Sequence, residues 1–255
     1  MDRGSELRAA AKAGDMKLLR ALVEKGADVN AAGGEWGQVA LHLAAEGGHA
    51  DAVEFLLDKG ASPNVREQRS REGRTPLLNA ASGSSASSNE CVALLLSAGA
   101  DPNMDDIFGP PLSRAIRYQK SKSISRIQTI LLLKAGAMVD RPDCWGFTPL
   151  LRALEGEGRR DLVKVLLRAG AAIPEGETTV ERYICDEYVG EDHTLRGEHN
   201  KDAFAVLDRV KKAGGWPEFA KQHERVLVGL VSKCAPIPDD AARLVVEFWT
   251  PPGGS

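Results

Sequence analysis

Two stretches, VALHLAAEGGH (39–49) and VEFLLDKGASPN (53–64), decide the fold of this 255-residue chain. In the first, Leu41, Ala44 and Ala45 stand at i, i+3 and i+4, one apolar stripe on a short helix. In the second, Val53, Leu56 and Leu57 repeat that spacing, and Gly60 supplies the positive φ that ends a helix. Together they read as helix–turn–helix followed by an extended connection. The same text recurs along the chain. LLRALVEKGADVN (18–30), VALLLSAGADPN (92–103), TILLLKAGAMVD (129–140) and VKVLLRAGAAIP (163–174) match the second stretch. LRAAAKAGD (7–15), TPLLNAASG (75–83), PPLSRAI (110–116) and TPLLRAL (148–154) match the first. The Gly-Ala pairs begin at Gly26, Gly60, Gly99, Gly136 and Gly170, in steps of 34, 39, 37 and 34. Thr75 and Thr148 offer N-cap hydroxyls, and Pro76 and Pro149 follow at the first helical position, where a missing N–H costs nothing. One pair of short helices cannot bury its apolar face alone, so the pairs must stack.

Thr-Pro-Leu-His-x-Ala followed by Leu-Leu-x-x-Gly-Ala resembles the ankyrin repeat, whose period is about 33. The resemblance covers residues 5 to 174 and implies an all-α solenoid of helix-turn-helix units with hairpin-like connections and a helical C-terminal cap. The expected organisation is ankyrin repeats 1–5 over 1–174, a degenerate sixth repeat with a polar acidic loop over 175–215, and the helical cap over 216–255. The tail resembles the C-terminal segments of ankyrin-repeat proteins from algae and other protists. The first unit lacks Thr-Pro and carries Arg8, Lys12 and Lys17, as a polar N-terminal cap would. Three departures from the period fall in NVREQRSREGR, SGSSASSNE and YQKSKSIS. Insertions of this kind are expected in loops, leaving the stacking register intact.

Composition excludes several classes. The hydrophobic fraction of 43% and net charge of −3 rule out a wholly disordered chain. The longest aliphatic run, Ile130 to Leu133, is far short of the roughly 18–20 residues of a membrane helix. MDRGSELRAAAKAG at the start has no apolar stretch for a signal peptide, and Cys91, Cys144, Cys185 and Cys234 form no CxxC pair. A cytoplasmic or nuclear monomer without a membrane span is expected. Aromatics are scarce, at 5%. Of the 13, Trp36, Phe108, Trp145 and Phe147 lie on the connections and seven lie after Pro174.

Catalytic signatures are missing: there is no P-loop, GxSxG, HExxH or strand-associated GxGxxG. His42 and His49 read as structural. CDEYVGEDHTLRGEH (185–199) is rich in metal-capable side chains, but its spacing matches no defined site and it reads as a solvated acidic loop. No enzyme activity, cofactor or metal is expected.

Charge is uneven. From Ile107 to Val139 there is no Asp or Glu, while 175–200 holds eight acids against Arg182 and Arg196. Arg66, Arg69, Arg71, Arg114, Arg117, Lys120 and Lys122 form a candidate basic patch that would select an acidic protein surface. Nucleic acid is not expected, since the pI is near 6.0 and no binding motif is present. The resemblance implies a protein partner on the concave face and the tips of the connections. Candidate contacts are Trp36, Gln38, Arg74, Phe108, Trp145 and Phe147, with Glu46 and Glu155 (and Lys12 and Ser82) on the first helices. The alternative is a substrate receptor of a ubiquitin ligase that recruits an adaptor through LVGLVSKCAPIPDDAARLVVEFW. The family's Asn at the end of Gly-Ala-x-x-Asn can be a substrate of asparaginyl hydroxylases, which singles out Asn30, Asn64 and Asn103. The main role of that amide in the family is to tie the turn.

Overall fold

The structure, a computed structural model, describes residues 2–172 apart from 71, 84, 118–120 and 156–158, and without the side chains of 155 and 160. Ten helices in five pairs fill it: α1 (Arg3–Ala13) and α2 (Met16–Glu24), α3 (Ala40–Gly47) and α4 (Ala50–Asp58), α5 (Pro76–Ser82) and α6 (Ala86–Ser97), α7 (Pro111–Arg117) and α8 (Lys122–Lys134), α9 (Pro149–Glu155) and α10 (Arg160–Arg168). Odd-numbered helices pack on odd-numbered ones along the chain, even on even, and each pair packs on itself. Two layers result, an inner one of α1, α3, α5, α7 and α9 and an outer one of α2, α4, α6, α8 and α10. Among the described residues the only β pairing is two isolated bridges, Gly33 with Gln38 and Asp106 with Gly109. The expected all-α solenoid is what forms.

Each repeat fills the same places. Leu7, Leu41, Leu77, Leu112 and Leu150 occupy one position of the inner helices, and all are buried. The small pairs Ala10–Ala11, Ala44–Ala45 and Ala80–Ala81 let neighbouring helices approach, and the core needs no rings. In the outer layer Val53, Val92 and Val163 recur at one buried position, and Thr129 takes that place in α8 with its buried hydroxyl unpartnered. Thr75 Oγ1 accepts from the Leu78 N–H and Thr148 Oγ1 from the Leu151 N–H, so both expected N-caps are made.

The insertion at 64–74 lies in a connection as expected, but the other two end up elsewhere. Much of their length is wound into helix: α6 has 12 residues and α8 has 13, against nine in α4. Ser85 caps the longer α6 by accepting from the Ser88 N–H. A helical turn satisfies the added backbone groups internally, whereas a loop would leave them to water. The stacking register survives, since α5 still meets α7 and α6 still meets α8. The expected sixth repeat, acidic loop, C-terminal cap and adaptor-recruiting helices lie outside the described residues, as do Arg71, Lys120 and the side chain of Glu155.

Candidate partner-binding site

The connections before each inner helix fold into short fingers, at 31–38, 65–74, 104–109 and 141–147. Each closes on itself by backbone bonds, such as Glu67 N–H to Arg74 O (2.9 Å) and Asp143 N–H to Phe147 O (3.0 Å). Neighbouring fingers also join. Arg69 N–H donates to Trp36 O at 3.0 Å and Cys144 N–H to Phe108 O at 3.3 Å. Arg66 reaches across to Asp105 O at 2.7 Å. Glycine is needed at the finger bends: Gly37 has φ of 67° and Gly146 of 79°.

Two aspartates organise the later fingers. Asp143 Oδ1 accepts from the Trp145 and Phe147 N–H groups at 3.0 and 3.1 Å, while Oδ2 accepts from Arg152 Nε at 2.6 Å. Asp106 does the same one finger earlier. Its Oδ1 accepts from Phe108 and Gly109 N–H, and its Oδ2 pairs with Arg114. Arg114 also donates to Ser82 Oγ at 3.2 Å. Both ion pairs have buried side chains and fasten a finger to the inner helix behind it. Neither aspartate stood out in the sequence. The signal was there, in the repeated Asp-x-aromatic-Gly of 106–109 and 143–146.

Aromatic rings rest on this frame. Phe108 and Trp145 stack with centroids 6.0 Å apart and planes 17° apart. Arg117 lies 3.7 Å from the Trp145 centroid, and Arg152 lies 3.9 Å from that of Phe147. Trp36 is 50% exposed and Trp145 41%, so both expected anchors face solvent. Phe108 is half-buried. The row is not continuous: the finger at 65–74 stands between Trp36 and the Phe108–Trp145 pair and contributes no ring.

Several expectations need correction. Phe147 is buried at 3% exposure beneath Arg152 and offers a partner no surface. Gln38 is half-buried and spends its amide on Glu67, donating at 2.7 Å. Arg74 is half-buried and paired with Glu72, with Asp106 3.9 Å away. Arg114, also 3% exposed, is neutralised by Asp106 and leaves the basic patch. Ser82 is half-buried, its hydroxyl turned back to Leu78 O. Arg66, Arg69, Arg117 and Lys122 remain exposed, as do Lys12 and Glu46.

The remaining polar residues knit repeats together. Asn30, Asn64 and Asn103 each donate to a glycine carbonyl one repeat on (Gly60, Gly99 and Gly136), all at 3.0 Å. Each also accepts a backbone N–H there, from Ser62, Asp101 and Met138. The amide is thus used at both ends, as a turn-tying role requires. At the fourth junction Asp140 accepts from Ala172 N–H at 2.9 Å. A carboxylate cannot also donate to the Gly170 carbonyl. His42 Nδ1 accepts from Val39 N–H and Nε2–H donates to Arg74 O at 3.1 Å, which fixes the neutral tautomer. Burial lowers its pKa below the ordinary 6.5. Among the described residues no group of His, Cys, Asp and Glu is arranged to hold a metal ion, and no helix is long and apolar enough to cross a membrane.

The repeat pattern of this sequence recurs in known proteins. The family model for ankyrin repeats (three copies) matches residues 7–106 and again 84–175, more than half of the chain. The chain belongs to the ankyrin-repeat family. Its similar relatives include the mouse B-cell lymphoma 3 protein homolog, 35% identical over 157 residues, which are 60% of this chain and 33% of that protein. The rat cyclin-dependent kinase 4 inhibitor B is 35% identical over 127 residues, 49% of this chain and 88% of that protein. The mouse 2-5A-dependent ribonuclease is 40% identical over 74 residues, 29% of this chain and 10% of that protein. The chain thus spans about a tenth of the length of the ribonuclease and a third of that of the lymphoma protein homolog. Ankyrin repeats are interaction modules that bind proteins, and an enzyme's name among these relatives comes with a match to a small part of it.

Proposed function

We propose that this ankyrin-repeat chain is a non-enzymatic scaffold or adaptor, monomeric and cytoplasmic or nuclear. It holds a protein partner along its concave face and finger tips. The observation that carries the reading is Trp145, 41% exposed yet held by a stacked Phe108 and by Arg117. A large ring kept in water on a rigid mount is how binding hot spots are built. Trp36, 50% exposed on the finger at 31–38, supplies a second anchor. The exposed Arg66, Arg69, Arg117 and Lys122 favour a partner with an acidic surface. Relatives named for a protein they inhibit, such as the cyclin-dependent kinase 4 inhibitor B, support binding as the mode of action.

The test is a pull-down from the source cell with wild type and with Trp36→Ala plus Trp145→Ala. A partner retained by wild type and lost by the double variant is the expected result. Unchanged retention places the partner on another face.

A further inference from the structure

The outer helices fill their core places alike, and α8 departs from the pattern. Val53 of α4, Val92 of α6 and Val163 of α10 stand where α8 has Thr129. Ala52, Cys91 and Leu162 stand where it has Gln128. All of these side chains are buried, Gln128 and Thr129 at 0% exposure. In α2 the two places fall to Leu18 and Leu19. Among the described residues, α8 is thus the one outer helix with a polar side chain at both places.

A hydroxyl in place of one methyl group keeps the shape of valine, so packing survives the exchange. Solvation does not. Thr129 Oγ1 is buried and has no hydrogen-bond partner among the described residues. In the unfolded chain water would bond it, so its burial carries a cost that valine lacks. Ser113 on α7 repeats the situation. It is 3% exposed, its hydroxyl is unpartnered, and it takes the place of Leu78 in α5 and Leu151 in α9. The third pair also has unpartnered oxygens, Asn79 Oδ1 and Asn89 Oδ1. There the Asn79 amide still donates to His42 O at 3.4 Å, Asn89 is half-buried, and α6 keeps Cys91 and Val92 in its core.

The two helices of the fourth pair are held differently. Arg114 anchors α7 to the finger before it through Asp106, and to α5 through Ser82 Oγ at 3.2 Å. On α8 the apolar seat is Leu132, and Ser125 Oγ donates to Ala115 O of α7 at 2.8 Å.

We propose that α8 is the release point of this array: it detaches before α4 and α6, while α7 stays seated on α5. Release returns the Thr129 hydroxyl and the Gln128 amide to water. Opening is therefore less uphill at α8 than where valine and a small or apolar neighbour fill the same places. The three complete repeats built from α1 to α6 remain folded in the open state.

Hydrogen exchange of the full chain, followed by mass spectrometry, tests this. Corrected for intrinsic rates, the amides of α8 should exchange faster than those of α4 and α6. Thr129→Val removes the hydroxyl and adds no bulk, so folding is not at stake. It should slow α8 about 5- to 30-fold, the factor that matches relief of one unsatisfied buried polar group, and leave α4 unchanged. The reverse change, Val53→Thr, should quicken α4 by a similar factor and leave α8 unchanged. Wild-type α8 protected as well as α4 and α6 overturns the proposal. So does α8 exchange that ignores Thr129→Val, and so does α4 exchange that ignores Val53→Thr. Equal slowing of α4, α6 and α8 by Thr129→Val overturns it too, because the array would then open as one cooperative unit.

Discussion

Repeats 2 and 3 fasten the finger between them with one neutral imidazole, whereas repeats 4 and 5 fasten theirs with ion pairs. In the first case His42 on α3 donates to Arg74 O at the end of the finger at 65–74. In the second, Asp106 and Asp143 reach from their fingers to Arg114 on α7 and Arg152 on α9. The task is the same, and the chemistry sets what else each region can do. Beside the imidazole fastening, no ring of the described residues stacks on Trp36. The ion-pair fastening sets cations beside the rings, and the Phe108–Trp145 platform grows from it.

The largest effect should come from cutting an ion pair. Asp143→Ala removes the acceptor for two finger amides and leaves Arg152 buried without that carboxylate. Stability should fall by about 3–5 kcal/mol in urea titration. His42→Leu, which places the side chain that repeats 3 and 5 carry there, should cost about 1–2 kcal/mol. Equal losses would erase the contrast between the two fastenings.

The amide ties run through both regions and give a common reference. Asn103→Ala removes the bonds to Gly136 O and from Met138 N–H, and should cost about 1–2 kcal/mol. Asp140→Asn should do the reverse at the fourth junction. It keeps the acceptor for Ala172 N–H and adds a donor for Gly170 O, for a gain of about 0.5–1.5 kcal/mol. A loss on Asp140→Asn would mean that the junction is not built like the other three.

The smallest effect is one of pH. The folded-state pKa of His42 lies below the ordinary 6.5, so below that pH the unfolded chain binds the proton more readily. The stabilisation by neutral His42 is complete above 6.5 and is lost as pH falls through the lowered value. Denaturation midpoints measured from pH 7.5 downward should decline for wild type, and more shallowly for His42→Leu. Parallel curves would show that His42 contributes no proton linkage.

Much of the fold was legible because it is local. The N-caps at Thr75 and Thr148, the Gly-Ala helix ends and the buried leucines each depend on neighbours a few residues away or one repeat along. The candidate site was legible in part. Of the candidate contacts and the basic patch, Trp36 and Trp145 are exposed, but Phe147 and Arg114 are buried. Their burial depends on Arg152 and Asp106, and a repeat alignment says nothing about which carboxylate meets which guanidinium. The insertions show the same limit. Surplus residues look like a loop in an alignment, yet Ser85 caps a longer α6.

By itself the sequence determined the number, phase and layering of the five repeats, because a period near 33 residues leaves stacking as the way to bury each apolar stripe. The tertiary structure decided which charged and aromatic side chains remain at the surface. That depends on pairings between a finger and the helix behind it. Burial favours a guanidinium only where a carboxylate lies within reach. Arg114 and Arg152 meet that condition and turn inward. Arg117 lies exposed over the face of Trp145.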